Sequence, residues 1–320
     1  MFKLSVISDI YECREVWERV VPKDSIFDLW EARYCFQKHF KRPANFIIAE
    51  KNGTICGLLP LSWIKESKTY GYFPGETWNG KTWIEQNRIY SNDNSIRNEF
   101  FKCVKGPYYL RYIIPYMNIE GNYPVDEIGY LFKPEKYEYD MNKYFEEFSG
   151  KSRKRLKREL EFFKEQSINF RYNELDDFSM LINLNISRFG NNSYFADERF
   201  RDSFYSLIYL LNDKDCLRIT TIFIKDEIAA IDMGCIYNGV YTLLAGGTNS
   251  NFPGIAKLIN IHHMEWACQE KLKVVDFLCG DFNWKKQFHL TPRPLYLLSN
   301  KKVKSNMTFD FTSKKLIYAE

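Results

Sequence analysis

The sequence predicts a mixed α/β protein, α+β in character, built as two similar halves. Three observations carry that reading. The chain has 320 residues, a length natural for two domains of about 100–200 residues each. Strand-like runs are joined by Asn52-Gly53 and Asn238-Gly239, the dipeptide that most favours a tight antiparallel hairpin. The second half reads helix, helix, three antiparallel strands, helix, strand, and the first half has a looser version of the same order. A meander followed by a β–α–β unit gives a mostly antiparallel mixed sheet flanked by helices. A doubly wound nucleotide fold would need repeated right-handed crossovers instead.

In the first half, Phe27, Trp30 and Tyr34 recur on one helix face. NFIIAEKNGTICGLLPLSWI follows as two strands of one hairpin. Residues 70–90 are rich in Gly, Trp, Tyr and Asn and read as strands with long loops. YYLRYIIPYMNI is a further strand, and Gly121, Pro124, Gly129 and Pro134 mark a crossover between 121 and 140. The domains are expected at 1–148 and 149–320.

The second half opens with SGKSRKRLKRELEFFKE, where Leu156, Leu160 and Phe163 form a narrow apolar stripe on a basic helix. Two more helices follow, the clearer one marked by Phe200, Phe204, Leu207, Ile208 and Leu211. LRITTIFIKD, EIAAIDMGCIYN and VYTLLAGGTN are the strands, with Asp226-Glu227 at the first turn. The helix GIAKLINIHHMEWACQEK leads to the strand KVVDFLCG.

Apolar residues make up 45% of the chain and aromatics 17%, enough for a core in each half. No run of roughly 18 uncharged apolar residues is present, so no membrane span is expected. The N-terminus does not read as a secretory signal. Eight cysteines are scattered without a CxxC pair, which suits a reduced cytoplasm better than a disulfide framework. A net charge of +4 does not imply a general nucleic-acid binder. Four isolated or mid-helix histidines, without HExxH, give no metal site.

Four stretches, taken in order, resemble the GNAT superfamily. The closer likeness is to its FemAB-like, CelD-like branch, in which two GNAT domains share one chain. FDLWEARYCFQKHF with FIIAEKNGTICGLLPLSW is similar to that branch's opening helix and hairpin. GKSRKRLKRELEFFKE is similar to its basic helix. The run from IAAIDMGC to NWKKQF is similar to its acyl-donor half, and RPLYLL to its closing strand. One departure stands at 251–256, where Asn-Phe-Pro-Gly-Ile-Ala has no Arg or Gln at its start.

The resemblance implies an N-acyltransferase that moves an acyl group from acyl-CoA to a primary amine. The acceptor class it implies is an amino sugar, a cell-envelope precursor or an amino acid. Acyl-CoA is then a co-substrate, with no metal or redox cofactor. Two rival readings keep the fold: an aminoacyl-tRNA-dependent, FemX-like peptidyl ligase, and a catalytically degenerate scaffold.

The candidate residues follow. Gly246, Gly247, Gly254, Ile255, Ala256 and Lys257 join a strand to a helix N-terminus, where unpaired N–H groups and the helix dipole suit a pyrophosphate. An ordinary strand-to-helix loop has the same composition. Asp281 and Lys285 follow an apolar strand, where a ligand crevice commonly lies. Asp281 is the candidate to orient or deprotonate the amine, and Lys285 to bind an anionic group; a solvated turn is the plain alternative. Asp232, in an apolar strand, is either a structural partner or part of the acceptor pocket. Trp78, Trp83, Tyr241 and Trp284 are substrate-wall candidates that suit a core equally. Arg153, Arg155 and Arg158 lie on the basic helix, where crowded like charges favour an anionic partner or nearby acids. His262 shares a face with Ile255, Leu258, Ile259 and Trp266 and reads as a hydrogen-bonded core histidine.

Overall fold

A computed structural model describes residues 2–91, 93–115, 123–280, 283–301, 307–310 and 315–318. In chain order the elements are β1 (Lys3–Ile7), α1 (Ile10–Val20), α2 (Trp30–Phe40), β2 (Ala44–Lys51), β3 (Thr54–Ile64), β4 (Thr69–Tyr72), β5 (Thr77–Trp78), β6 (Lys81–Thr82), β7 (Tyr90–Ser91) and α3 (Asn94–Cys103). Then come β8 (Tyr109–Ile113), β9 (Tyr123–Phe132), α4 (Met141–Glu146), α5 (Gly150–Lys164), β10 (Ile168–Tyr172), α6 (Asp177–Phe189), α7 (Glu198–Asp213), β11 (Leu217–Ile224), β12 (Glu227–Tyr237) and β13 (Val240–Thr248). The chain closes with α8 (Ile255–Gln269), β14 (Val274–Asp276), α9 (Asn283–Gln287), β15 (Thr291–Ser299), β16 (Met307–Asp310) and β17 (Lys315–Tyr318). The mixed α/β class expected from the sequence is what forms.

Two compact units divide the chain. Unit 1 comprises residues 1–128, 202–204 and 293–320; unit 2 comprises 129–201 and 205–292. The boundary expected at 148/149 lies inside unit 2.

Unit 1 holds an antiparallel sheet in the order β1-β2-β3-β4, with β7 also on β3. The β2–β3 turn is Asn52-Gly53 at φ 52° and 76°, the left-handed pair that a type I′ hairpin needs. Asn79-Gly80, at φ 49° and 73°, repeats the device between β5 and β6. The core is aromatic: Trp17, Trp30, Phe46 and Phe73 pack with ring centroids 5.1–6.4 Å apart. Trp83 is buried there, stacked on Phe36 and edge-on to Phe27. Its role is core packing, not a substrate wall. Trp78 is half-buried on the β5–β6 hairpin.

One cation sits inside that apolar mass. Arg33 is fully buried and donates to the backbone carbonyls of Phe27 (2.6 Å), Phe73 (2.6 Å) and Gln86 (2.9 Å). Its guanidinium lies 5.1 Å from the Trp17 ring and 4.9 Å from the Tyr72 ring. The planar fork thus ties three separate loops with one side chain.

Unit 2 holds a sheet in the order β10-β11-β12-β13-β14, followed by residues 129–132 of β9. The first four strands are antiparallel, and β13 and β14 are parallel. Asn238-Gly239 turns β12 into β13 at φ 51° and 78°. The β11–β12 turn is Lys225-Asp226, both at positive φ, one residue earlier than the sequence suggested. Residues 121–140, expected to be a crossover, carry the ten-residue strand β9 instead. Helix α8 is buried on most of its surface, through Ile255, Leu258, Ile259, Ile261, Met264 and Ala267. Helix α5 buries only Leu156, Leu160 and Phe163, as its stripe predicted. All eight cysteines are free thiols. Among the described residues no helix is long and apolar enough to cross a membrane.

Replacing Arg33 by Met should leave three buried carbonyls without donors. At about 1–3 kcal/mol for each buried group left unpaired, less what a buried cation costs, the expected destabilisation is roughly 3–5 kcal/mol. A urea titration of the full chain should show a lower midpoint for Arg33→Met, and an unchanged midpoint would refute the tie.

Candidate active site

In unit 2 the two parallel strands part. β13 and β14 pair only at Val240↔Val274, Tyr241↔Val275 and Thr242↔Asp276. β13 continues to Thr248, while the chain after Asp276 follows β9 instead. Phe277 N–H donates to Tyr130 O (3.0 Å), and Tyr130 N–H donates to Leu278 O (3.2 Å). Past Thr242, β13 therefore has no strand partner on that edge among the described residues.

A bulge lies at the parting. Met233 pairs with Ala245 and Gly234 with Leu243, so Leu244 is an extra residue in β13. A bulge bends the strand and breaks the regular ladder. Alternate N–H groups of an extended strand point to opposite edges. At least one amide of Leu243, Leu244 and Ala245 thus faces the opened side.

Lys285 holds the end of β14 in place. It is buried, and its ammonium donates to the carbonyls of Phe277 (2.9 Å), Leu278 (3.0 Å) and Cys279 (2.6 Å). Those three protons meet backbone carbonyls, so the side chain is a clamp on the strand end and not the anion contact expected from the sequence. Trp284, beside it, is half-buried and edge-on to Phe277 and Phe288. Asp281 lies outside the described residues.

The two glycines of β13 answer to packing, not to a ligand. A Cβ on Gly246 would stand 2.3 Å from Asp232 Oδ1, and one on Gly247 would meet Leu181 O and Leu184 Cβ of α6, each at 2.9 Å. The mouth of α8 is different. Gly254 caps the helix at φ +92°, and its nearest neighbour to a built Cβ is Phe163 at 3.6 Å. Gly254 and Ala256 are exposed, and neither backbone N–H has an acceptor among the described residues. Ile255 is buried in the core. Lys257 stands in the first turn, 2.5 Å from Glu159 of α5.

Lys257 also lines a cleft of about 450 Å³ with Ser149, Ser152, Arg155, Glu159 and His289. Arg155 and Arg158 are exposed and Arg153 half-buried. Among the described residues none of the three has an acidic partner, so the acids near them in sequence do not neutralise them.

Asp232 is buried, and its Oδ2 lies 3.0 Å from Nε2 of His263, which is fully buried. Tyr241 packs 5.0 Å from the His263 ring, and its buried hydroxyl has no partner among the described residues. Burial pushes the Tyr241 phenol well up, with the Asp232 charge adding to it, so it stays protonated. His263 was not singled out by the sequence; His262 was. His262 is half-buried, stacked 4.3 Å from Phe170 and 3.1 Å from the Tyr172 hydroxyl. The helical register pointed to His262, because Ile255, Leu258, Ile259 and Trp266 share its face, yet α8 is buried on most sides and it is His263 that meets the sheet.

Two residues of α6 were also missed. Asn185 Nδ2 donates to Gly246 O (2.7 Å), and Arg188 Nη1 donates to Thr248 Oγ1 (2.9 Å). Both reach β13 beyond its last pair with β14. No motif marks them, because only the fold brings α6 to that strand.

Residues 150–286 match the family model described as the acetyltransferase (GNAT) domain. The likeness to the GNAT family is thus carried by this segment, which is less than half of the chain. Apart from residues 202–204 it lies within unit 2, and it contains the parted strands and the mouth of α8. No curated protein sequence matches the chain. In fold the chain is similar to FemX, with TM-score 0.57 at 9% identity over 92% of this chain and 96% of that one. It is also similar to a conserved protein of unknown function from Bacteroides thetaiotaomicron, with TM-score 0.55 at 13% identity over 93% and 99%. The third is L-PGS from Bacillus licheniformis, with TM-score 0.52 at 11% identity over 86% and 92%. These likenesses show the fold, the mixed α/β arrangement expected from the sequence.

Two outcomes follow from this geometry. His263→Phe would leave the buried Asp232 carboxyl unpartnered and cost roughly 3–5 kcal/mol. Adding Asp232→Leu should recover most of the loss, and thermal melts of the single and double variants would show it. Separately, burial pushes His262 down to about 4 from 6.5. A depressed histidine resists protonation in the folded state, so the unfolded chain binds the extra proton. His262 therefore adds stability above pH 6.5 that fades as the pH falls towards 4. Denaturation of His262→Gln should be less pH-dependent across that window than the parent; equal slopes would remove His262 as the cause.

Proposed function

We propose that the GNAT domain catalyses transfer of an acyl group from a coenzyme A thioester to a primary amine. The amine belongs to an amino sugar, a cell-envelope precursor or an amino acid. The observation that carries this reading is the parting of β13 from β14 beside the open mouth of α8. The thioester arm lies along the free edge of β13, and the pyrophosphate sits at Gly254–Lys257. There the free amides, the helix dipole and the Lys257 charge all favour an anion.

The amine attacks the thioester carbonyl, a C–N bond forms, and the negative charge moves to the carbonyl oxygen. A backbone N–H on the bulged edge at 243–245 is placed to stabilise that oxygen. Collapse breaks the C–S bond, the nitrogen loses one proton, and the departing thiolate takes up one proton from solvent, so that coenzyme A leaves as its thiol. Asp232 and His263 are too deeply buried to touch the amine; they hold the sheet and α8 in register. The proton goes to solvent, to the substrate itself or to Asp281. Arg153, Arg155 and Arg158 extend the positive surface beside the cleft, where coenzyme A phosphates are accommodated.

A second reading has its own observation. The exposed cations of α5 that no acid neutralises would equally meet the backbone of an aminoacyl-tRNA, the donor of a FemX-like ligase. Salt separates the two, because polynucleotide binding weakens steeply and linearly on a log–log plot as counterions are released.

Calorimetry with acetyl-CoA and longer acyl-CoAs should show binding to the parent chain. Ala256→Asp places a carboxylate in the first turn, where it favours the helix but repels a diphosphate. It should keep the fold and weaken acyl-CoA binding at least tenfold, or about 1.4 kcal/mol. No binding by the parent, or equal binding by the variant, overturns the donor site. A steep salt slope with charged tRNA and none with acyl-CoA selects the second reading.

A further inference from the structure

We infer that helix α5 is a docking face for an anionic lipid surface, held there by charge and by one exposed phenylalanine. The role is separate from the proposed reaction and does not rest on it.

Positive charge is concentrated in one stretch of the chain. There are 45 Lys and Arg against 41 Asp and Glu. Residues 150–172 hold eight of the former and three of the latter, so the rest of the chain is one charge negative and this stretch carries the whole positive excess. Lys151, Lys154, Arg155 and Arg158 fall at i, i+3, i+4 and i+7, which is one face of a helix. All four are exposed, while Leu156, Leu160 and Phe163 are buried on the other side. Among the described residues none of the four side chains has an acidic partner or a hydrogen-bond acceptor. A groove of about 830 Å³ runs along the helix, lined by α5 alone, with Glu161 the one acid among its described residues. Like charges so crowded raise the free energy of the helix until anions meet them.

Phe162 continues that face, at i+4 from Arg158 and i+7 from Arg155. It is 60% exposed, more than any other phenylalanine described, whereas its neighbour Phe163 turns into the core. A single exposed apolar side chain is ordinary. One that extends a row of unpaired cations has what a peripheral membrane contact needs, headgroup attraction with an apolar anchor beside it. The apolar stripe of α5 is spent on the core, so the helix rests on the headgroups and lowers only Phe162 towards the acyl boundary. Glu161 and Glu165 lie at the C-terminal end. The first two turns, where the helix dipole is also positive, carry the attraction. The backbone of a duplex RNA would engage the same cations but leave Phe162 in water.

The test is co-sedimentation of the full chain with vesicles of phosphatidylcholine alone and with vesicles of equal parts phosphatidylcholine and phosphatidylglycerol. The parent should bind the mixed vesicles at least tenfold more tightly, and raised salt should weaken that binding. Lys151→Glu combined with Lys154→Glu should weaken it about tenfold or more. Acids in the first turns favour a helix, so this variant keeps its fold. Phe162→Ser changes an exposed position, and should weaken vesicle binding at least threefold while leaving affinity for a duplex RNA unchanged. The inference is overturned if both kinds of vesicle bind equally, if Phe162→Ser binds mixed vesicles like the parent, or if duplex RNA binds and mixed vesicles do not. No acyl donor is present in the experiment, so its failure leaves the proposed transfer reaction standing.

Discussion

The parting of β13 from β14 is the constraint around which unit 2 is arranged. Parallel strands with matching edges tend to keep pairing, and an unpaired edge invites another strand. Here the separation is enforced from the β14 side. Asp276 Oδ1 accepts the N–H of Leu278 (3.0 Å), which sits at φ +54°. Lys285 then gathers the carbonyls of 277–279 under one ammonium. The chain is bent towards β9 and cannot return to β13. Without that clamp the two strands would zip, and the edge amides at 243–245 would be taken up by the sheet.

The opposite side of β13 is fixed just as tightly. Asp232 leans over Gly246, where any side chain would collide with its carboxyl oxygen. His263 brings α8 down onto the same strand through Asp232. Gly247 lets α6 approach to contact distance, and Asn185 then ties α6 to Gly246 O. Glycine at both positions thus serves helix-to-sheet spacing. The mouth of α8 inherits its position from these contacts, since the linker from Thr248 to Gly254 is short. Asn249 and Asn251 pin that linker to Glu227 Oε1 at 2.9 and 3.2 Å.

How much of this could be read from the sequence depends on whether the signal is local. The hairpins were legible because Asn-Gly at positive φ is a property of two residues. The stripe of α5 was legible because three apolar side chains stand alone on a charged helix. The strand β9 was not, because Gly129 and Pro124 carry a loop-like composition that pairing overrides. Strand β1 was passed over, since KLSVI is mostly exposed and gains its structure from β2 alone. Gly246 and Gly247 looked like a ligand loop because a glycine required by packing and a glycine required by a ligand leave the same letter. Lys285 and Trp83 have the composition of a binding wall; only the folded backbone at 277–279 turns one into a clamp, and only packing against Phe27 and Phe36 turns the other into core. Division of the chain at 128/129, with 293–320 returning to unit 1, involves contacts far apart in sequence and leaves no mark on composition.

Buried charge is sorted by what it faces. Arg33 and Lys285 are cations enclosed in protein, and each ends on three backbone carbonyls. A cation so satisfied has little left to offer a ligand, and its burial is explained by the loops it ties. Asp28 is the acidic counterpart: it accepts from Arg88 Nη1 (2.6 Å), the Tyr90 hydroxyl (3.1 Å) and Ser25 N–H (2.8 Å). Exposed charge sorts the same way. Lys257 is held by Glu159, while among the described residues Arg153, Arg155 and Arg158 of α5 have no acidic partner. Like charges crowded on one helix raise its free energy unless something anionic comes to meet them. The row of cations on α5 is therefore where unit 2 has charge to offer an anion, while Arg33, Lys285 and Asp28 serve to hold loops and strand ends together.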